Sequence, residues 1–144
     1  MERFAPGDVI GDLRIESEIG RGAFGRVYLA TDALLERRVA LKVIPAQPRE
    51  TDTPETRRIL LEARAAGQIH SPYVVPLYRV HPPSDHDAWM FEMEYVEGGS
   101  LSELLEDDQP LDTARALAIA QDVARALEAA HRSGVVHGDI KPGN

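Results

Sequence analysis

The sequence predicts an α+β fold with a β-rich first part and a helical second part, on three observations. Five stretches before residue 97 alternate apolar and polar residues with period two. One stretch among them carries helical spacing instead. After Glu97-Gly98-Gly99 the spacing changes to that of helices.

Leu13, Ile15, Ser17 and Ile19 alternate on one face, which predicts a strand over Asp12–Gly20. Gly25–Asp32, rich in Val and Tyr, is the second strand. Arg37–Pro45 is the third, with Val39, Leu41 and Val43 on one face and Ala40, Lys42 and Ile44 on the other. Thr53-Pro54-Glu55 opens a helix: a capping hydroxyl, a proline in the first turn and an acid near the positive dipole end. That helix is expected to reach about Gln68. Val74–His81 and Ala88–Val96 are two more strands, joined by Pro-Pro-Ser-Asp-His-Asp. Ser100-Leu101-Ser102-Glu103 is a capping box for a short helix. Asp112 caps a long one, with Leu117, Ala120, Val123, Ala124, Leu127 and Ala130 at helical spacing. Gly134 fits its C-terminal stop.

A length of 144 residues holds one domain, or one and a half lobes of a larger one. The hydrophobic fraction of 43% supports a core. A net charge of −8 argues against nucleic acid as the main partner, because phosphate backbones are held by basic surfaces. Cysteine is absent, which excludes disulfides and thiolate metal sites. The first residues show no signal-peptide pattern, and no apolar run reaches the ~18 residues of a membrane span, so the expected location is the cytoplasm. Of 16 basic residues, all but Lys42 and Lys141 are arginine. Arginine is a planar fork and lysine a compact point charge, so the two exceptions mark positions where the difference counts.

Four constellations carry chemistry. Gly20, Gly22 and Gly25 form a G-x-G-x-x-G, which suits a dinucleotide turn, a phosphate-covering loop or a plain flexible hairpin. The dinucleotide form needs a helix directly after the glycines. Arg26–Thr31 reads as a strand, so this is a strand–loop–strand hairpin whose backbone can approach phosphates. Lys42 is a cation in an apolar strand, on the face of Ala40, where it is costly unless paired. Glu62 shares a helix face with Ile59 and Ala66 and needs a cation; Lys42 is favoured over Arg58, which would leave Lys42 alone. His-Gly-Asp-Ile-Lys-Pro-Gly-Asn brings Asp139, Lys141 and Asn144 together: a proton acceptor, a cation and a metal-capable amide.

In this order the four resemble the signature set of the eukaryotic-like (Hanks-type) bacterial serine/threonine protein kinases. "IGRGAFGRVYLA" resembles the glycine-rich loop, "VALK" the lysine strand, "LLEARAAGQIHSPYVV" the glutamate helix, "MEYVEGGSL" the hinge and "HGDIKPGN" the catalytic loop. The resemblance implies a protein-kinase fold: a five-stranded antiparallel N-lobe with one main helix over residues 1–97, and over 98–144 the first helices and catalytic loop of a truncated helical C-lobe. It implies ATP and Mg²⁺ as cofactors and protein Ser or Thr hydroxyls as phosphate acceptors. Gly20, Gly22 and Gly25 would cover ATP, and Ile19, Val27 and Ala40 would enclose the adenine. Met93 would be the gatekeeper, with Glu94 and Val96 offering hinge backbone hydrogen bonds. Lys42, positioned by Glu62, would hold the α- and β-phosphates. Asp139 would accept the substrate proton, Lys141 would neutralise the γ-phosphate and Asn144 would bind Mg²⁺.

Two departures stand out. The family's His-Arg-Asp is His137-Gly138-Asp139 here, without the Arg that binds a phosphorylated activation loop. The Asp-Phe-Gly motif that follows the catalytic loop in the family does not occur in the 144 residues. The expectation is therefore a kinase present as a truncated domain, inactive by itself and self-associating through an apolar face with Leu117, Val123 and Leu127. The alternatives are an inactive ATP-binding or regulatory half-kinase and, against the full catalytic-loop motif, a small-molecule phosphotransferase of similar fold.

Overall fold

A computed structural model describes residues 3–22, 25–46, 53–83, 86–106 and 110–143, with the side chains of Glu55, Arg58 and Glu62 outside the description. The chain divides into two compact units, Met1–Ala63 with Val75–Val96, and Arg64–Val74 with Glu97–Asn144.

The first unit is built on an antiparallel sheet of six strands in the order β1-β2-β3-β4-β6-β5. The strands are β1 (Val9–Ile10), β2 (Leu13–Gly22), β3 (Gly25–Asp32), β4 (Arg37–Pro45), β5 (Leu77–His81) and β6 (Ala88–Glu94). The five expected strands are all present, and the two-residue β1 adds a sixth at the edge. Register explains the two faces. Ile15 lies opposite Ala30, Ala30 opposite Val39, Tyr28 opposite Leu41 and Val43 opposite Met90. These side chains form the core together with Phe4 and Ile10. Phe4 closes it: its amide donates to the Tyr28 hydroxyl at 3.3 Å, and the two rings meet edge to face at 5.6 Å. That bond satisfies the polar end of a wholly buried tyrosine.

The alternation expected for β2 holds only as far as Ile15. A register shift between Ile15 and Ser17 places Ser17 opposite Leu29, on the face away from Ile15. A second shift, between Glu18 and Gly20, leaves Ile19 out of the register and 44% exposed. Bulges of this kind re-aim side chains where a strand bends.

Among the described residues of this unit, two carboxylates are buried. Asp32 accepts from the amides of Leu34 and Leu35 at 3.0 Å each, which shapes the β3–β4 turn. Glu92 lies 3.2 Å from His81 Nε2 and 3.6 Å from an Arg37 nitrogen. Neither is evident from sequence, because the strand pattern marks the face of Glu92 but not the partners that the sheet brings to it.

Helix α1 (Pro54–Ala66) starts as expected, the Thr53 hydroxyl accepting from the Thr56 amide at 3.0 Å, and stops two residues short of Gln68. Its last turn and the segment to Val74 belong to the second unit. That unit also contains α2 (Leu101–Glu106) and α3 (Thr113–Arg132). In α2 the capping box is formed in full: Ser100 Oγ accepts from the Glu103 amide at 3.2 Å and Glu103 Oε2 accepts from the Ser100 amide at 2.5 Å. Asp112 caps α3, accepting from the Arg115 amide at 2.8 Å. The helix ends in a Schellman motif: Gly134 has φ +74°, its amide reaches His131 O at 2.9 Å and the Val135 amide reaches Ala130 O at 2.9 Å. Along α3 only Ala130 is buried; Leu117 is 58% exposed and Val123 36%.

Candidate active site

The sheet unit carries the first group of site residues on the face opposite the core. Val27 pairs with Lys42 and Lys42 with Phe91; Ala40 pairs with Met93. Directly opposed residues in an antiparallel ladder share a face. Val27, Ala40, Lys42 and Met93 are therefore neighbours on one surface, and period two along β4 aims Ala40 and Lys42 the same way. Ala40 is buried, while Val27, Lys42 and Met93 are half-buried. A cation thus stands at the edge of an apolar surface beside a residue with a single methyl group. Glu62, named from sequence as the partner of Lys42, has its backbone in α1 and its side chain outside the described residues.

Gly22 and Gly25 face each other where β2 turns into β3; residues 23 and 24 lie outside the description. The two glycines differ in kind. A Cβ on Gly25 would fall 2.1 Å from the carbonyl oxygen of Val43, so the close approach of β4 demands glycine there. A Cβ on Gly22 would meet nothing within 4 Å, and one on Gly20 would touch Val27 at 3.6 Å. The family resemblance implies that all three cover ATP; packing inside the protein accounts for Gly25 without any ligand. Beside the hairpin, Glu18 is held by Arg21 at 2.9 Å and Arg26 at 2.6 Å. The Arg21 hydrogen bond, followed by that of Arg26, lowers the Glu18 carboxyl below its ordinary value against the opposing effect of burial.

At the end of β6 the Glu94 amide donates to Pro76 O at 3.0 Å, so any backbone contact from Glu94 to a ligand would be made by its carbonyl. Val96, beyond the strand, is 60% exposed.

The second group lies in the helical unit, on the segment after α3. Gly138 has φ +73°, a left-handed conformation that side chains rarely adopt. Its neighbours are tied to each other: the Asp139 amide donates to His137 Nδ1 at 3.3 Å, and Lys141 Nζ lies 2.7 Å from Asp139 Oδ2. Asp139 and Lys141 are exposed, at 60% and 55%. The structure brings together these two of the three expected catalytic-loop groups; Asn144 lies outside the described residues.

Known proteins match this arrangement over nearly the whole chain. A family model described as the protein kinase domain matches residues 13–144. Serine/threonine-protein kinase PknH of Mycobacterium bovis is 40% identical over 139 residues, which is 96% of this chain and 23% of that protein. Serine/threonine-protein kinase PknD of Mycobacterium tuberculosis is 40% identical over 140 residues, 96% of this chain and 20% of that protein. The chain thus spans less than a quarter of the length of these relatives. A crystal structure of the Mycobacterium tuberculosis PknI kinase domain superposes with a TM-score of 0.81 at 27% identity, covering 99% of this chain and 58% of that one. The fold is that of the protein kinases, and the chain belongs to the protein kinase domain family.

Proposed function

We propose that this chain forms the nucleotide-holding part and the catalytic loop of an ATP- and Mg²⁺-dependent protein serine/threonine kinase. In this reading residues 1–97 are the N-lobe and 98–144 the first part of the C-lobe. The observation that carries it is the half-buried Lys42 beside Ala40 and Val27 on the non-core face of the sheet. That face offers an apolar surface for a flat ring with a point charge beside it for phosphate oxygens.

The residues divide the work. Ile19, Val27 and Ala40 enclose the adenine, and Met93 closes the far side. The Glu94 carbonyl and the Val96 amide bond to the adenine edge. Gly20 and Gly22 let the hairpin backbone come close to the phosphates, and the open space around a Cβ at Gly22 supports that role. Gly25 holds the hairpin against β4. Lys42 binds the α- and β-phosphates, kept in place by Glu62. A Ser or Thr hydroxyl of the protein substrate attacks the γ-phosphorus. The new O–P bond forms as the bond from the γ-phosphorus to the β,γ-bridging oxygen breaks, and ADP leaves with that electron pair. Asp139 takes the hydroxyl proton, and Lys141, already 2.7 Å from Asp139, neutralises the γ-phosphate.

Among the described residues no group of three or more His, Cys, Asp or Glu could hold a metal. The reading calls for a magnesium ion beside the phosphates. Asn144 is the proposed ligand, and the ion would neutralise charge on the phosphates. No helix among the described residues is long and apolar enough to cross a membrane, and we place this domain in the cytoplasm, where ATP is supplied. The exposed Leu117 and Val123 of α3 support the further reading that this face of the helix is covered in the working protein, by another part of it or by a second copy.

Transfer of radiolabelled phosphate from ATP to a generic basic protein, by the full-length protein, tests the reading. Phosphoserine or phosphothreonine should form, and Asp139→Asn and Lys42→Ala should each abolish most of it. Label transfer that survives Asp139→Asn would overturn the assignment.

A further inference from the structure

The exposed catalytic segment is held by an anchor outside itself. From Val136 to Gly143 every residue is exposed, with Val136 at 80% and Ile140 at 53%, so burial does not set its path. At its start the Val135 amide is fixed to Ala130 O by the Schellman motif. At its end the Pro142 carbonyl accepts a 2.9 Å hydrogen bond from the Ser102 amide. Asp139 and Lys141 lie between these two ties, bonded to each other and to His137.

The donor at Ser102 is available for a definite reason. The first amides of a helix have no partner within it. In α2 the Glu103 amide goes to Ser100 Oγ and the Leu104 amide to Ser100 O. The Ser102 amide, at the second helical position, points out of the helix and meets Pro142. The capping box thus serves two ends: it fixes the first turn of α2, and the fixed turn presents a donor to the catalytic segment. The two residues also lie side by side, since a Cβ on Gly143 would sit 3.4 Å from Ser102 Oγ, at ordinary contact distance.

We infer that the Ser102 backbone amide is a positioning group for catalysis: through Pro142 it holds the segment that carries Asp139 and Lys141. This rests on the function proposed above. The hydroxyl of Ser102 is not part of the inference; the amide is. Removing the donor should free the carbonyl end of the segment and slow phosphoryl transfer, while the sheet residues assigned to the adenine are untouched.

The test uses the full-length protein with three changes at one position. Ser102→Ala keeps the amide. Ser102→Pro deletes it at a first-turn position where a helix tolerates proline. An ester linkage at residue 102, introduced with the α-hydroxy counterpart of alanine, deletes the donor without a ring and serves if the proline variant does not fold. The expected result is wild-type kcat for Ser102→Ala and a loss of about threefold to tenfold in kcat for the other two, the equivalent of one net hydrogen bond, with KM for ATP unchanged. Hydrogen exchange at residues 136–141 should quicken in the ester variant and not in Ser102→Ala. Unchanged kcat without the donor, or an equal loss in Ser102→Ala, overturns the inference. If the wild type shows no Asp139-dependent phosphorylation, the proposed function fails, and exchange alone then decides whether the anchor exists: unaltered protection in the ester variant rejects it.

Discussion

In the sheet unit Tyr28, Val39 and Leu41 are fully buried, and Lys42 follows Leu41 on a strand paired along both edges. In the helical unit Ala130 is the one buried residue of α3, and Asp139 stands on an exposed segment. Both units carry residues assigned to one reaction, yet they hold them differently. A side chain on an interior strand inherits its position from register: moving Lys42 would mean moving β3, β4 and β6. Asp139 inherits its position from caps and end anchors, a few hydrogen bonds each worth little alone. Substitutions in the sheet core should therefore register mainly as stability, and those on the exposed catalytic segment mainly as rate.

The sharpest break in that comparison is Asp139→Asn. Loss of a positioned proton acceptor should lower kcat by about 10²–10⁴-fold. Because the side chain is exposed, the denaturation midpoint of the full-length protein should hardly move. A large fall in the midpoint would show that the segment has a structural role the comparison denies it.

Leu41→Ala reads the opposite arm. It empties a wholly buried site in the sheet core and should cost about 2–5 kcal/mol in urea unfolding. Leu117→Ala, at a position 58% exposed in α3, should stay within about 0.5 kcal/mol when both variants are made in the 144 residues alone and unfolded as dilute monomer. Equal costs would mean that the helix face is covered in solution, and sedimentation of the two variants would then show whether a second copy covers it.

A smaller effect sharpens the account of the helical unit. Asp112→Ala removes the side-chain acceptor of the Arg115 amide and should cost about 1 kcal/mol, with Asp112→Asn recovering most of it. Circular dichroism melts of the three proteins compare them directly.

The smallest expected effect belongs to Glu18. Its carboxyl is lowered by Arg21 and then Arg26, so the charged form is favoured in the folded protein. A carboxyl lowered on folding adds stability above its ordinary value of 4.5, and that contribution is lost as pH falls through the folded value. Glu18→Gln should thus be slightly less stable than the parent at neutral pH, with the gap closing in acid. A gap that widens as pH falls would reverse the sign and reject the pairing.

Much of this protein is determined by sequence at short range. Strand periodicity, the Thr53, Ser100 and Asp112 caps and the Gly134 stop are local patterns, and each appears where its residues place it. The face shared by Ala40 and Lys42 follows from period two alone, before any partner strand is known. What depends on distant parts of the chain was decided by the tertiary structure. The bulges that turn Ser17 and Ile19 away from the core arise from pairing with β3. Phe4 enters the core because Tyr28, twenty-four residues later, brings a hydroxyl to its amide. Gly25 is required by the carbonyl of Val43, a contact that exists only once β3 and β4 are side by side. The tie from Ser102 to Pro142 joins residues that no sequence pattern relates, because a helix's unpaired first amides declare that a partner is needed but not which carbonyl will arrive.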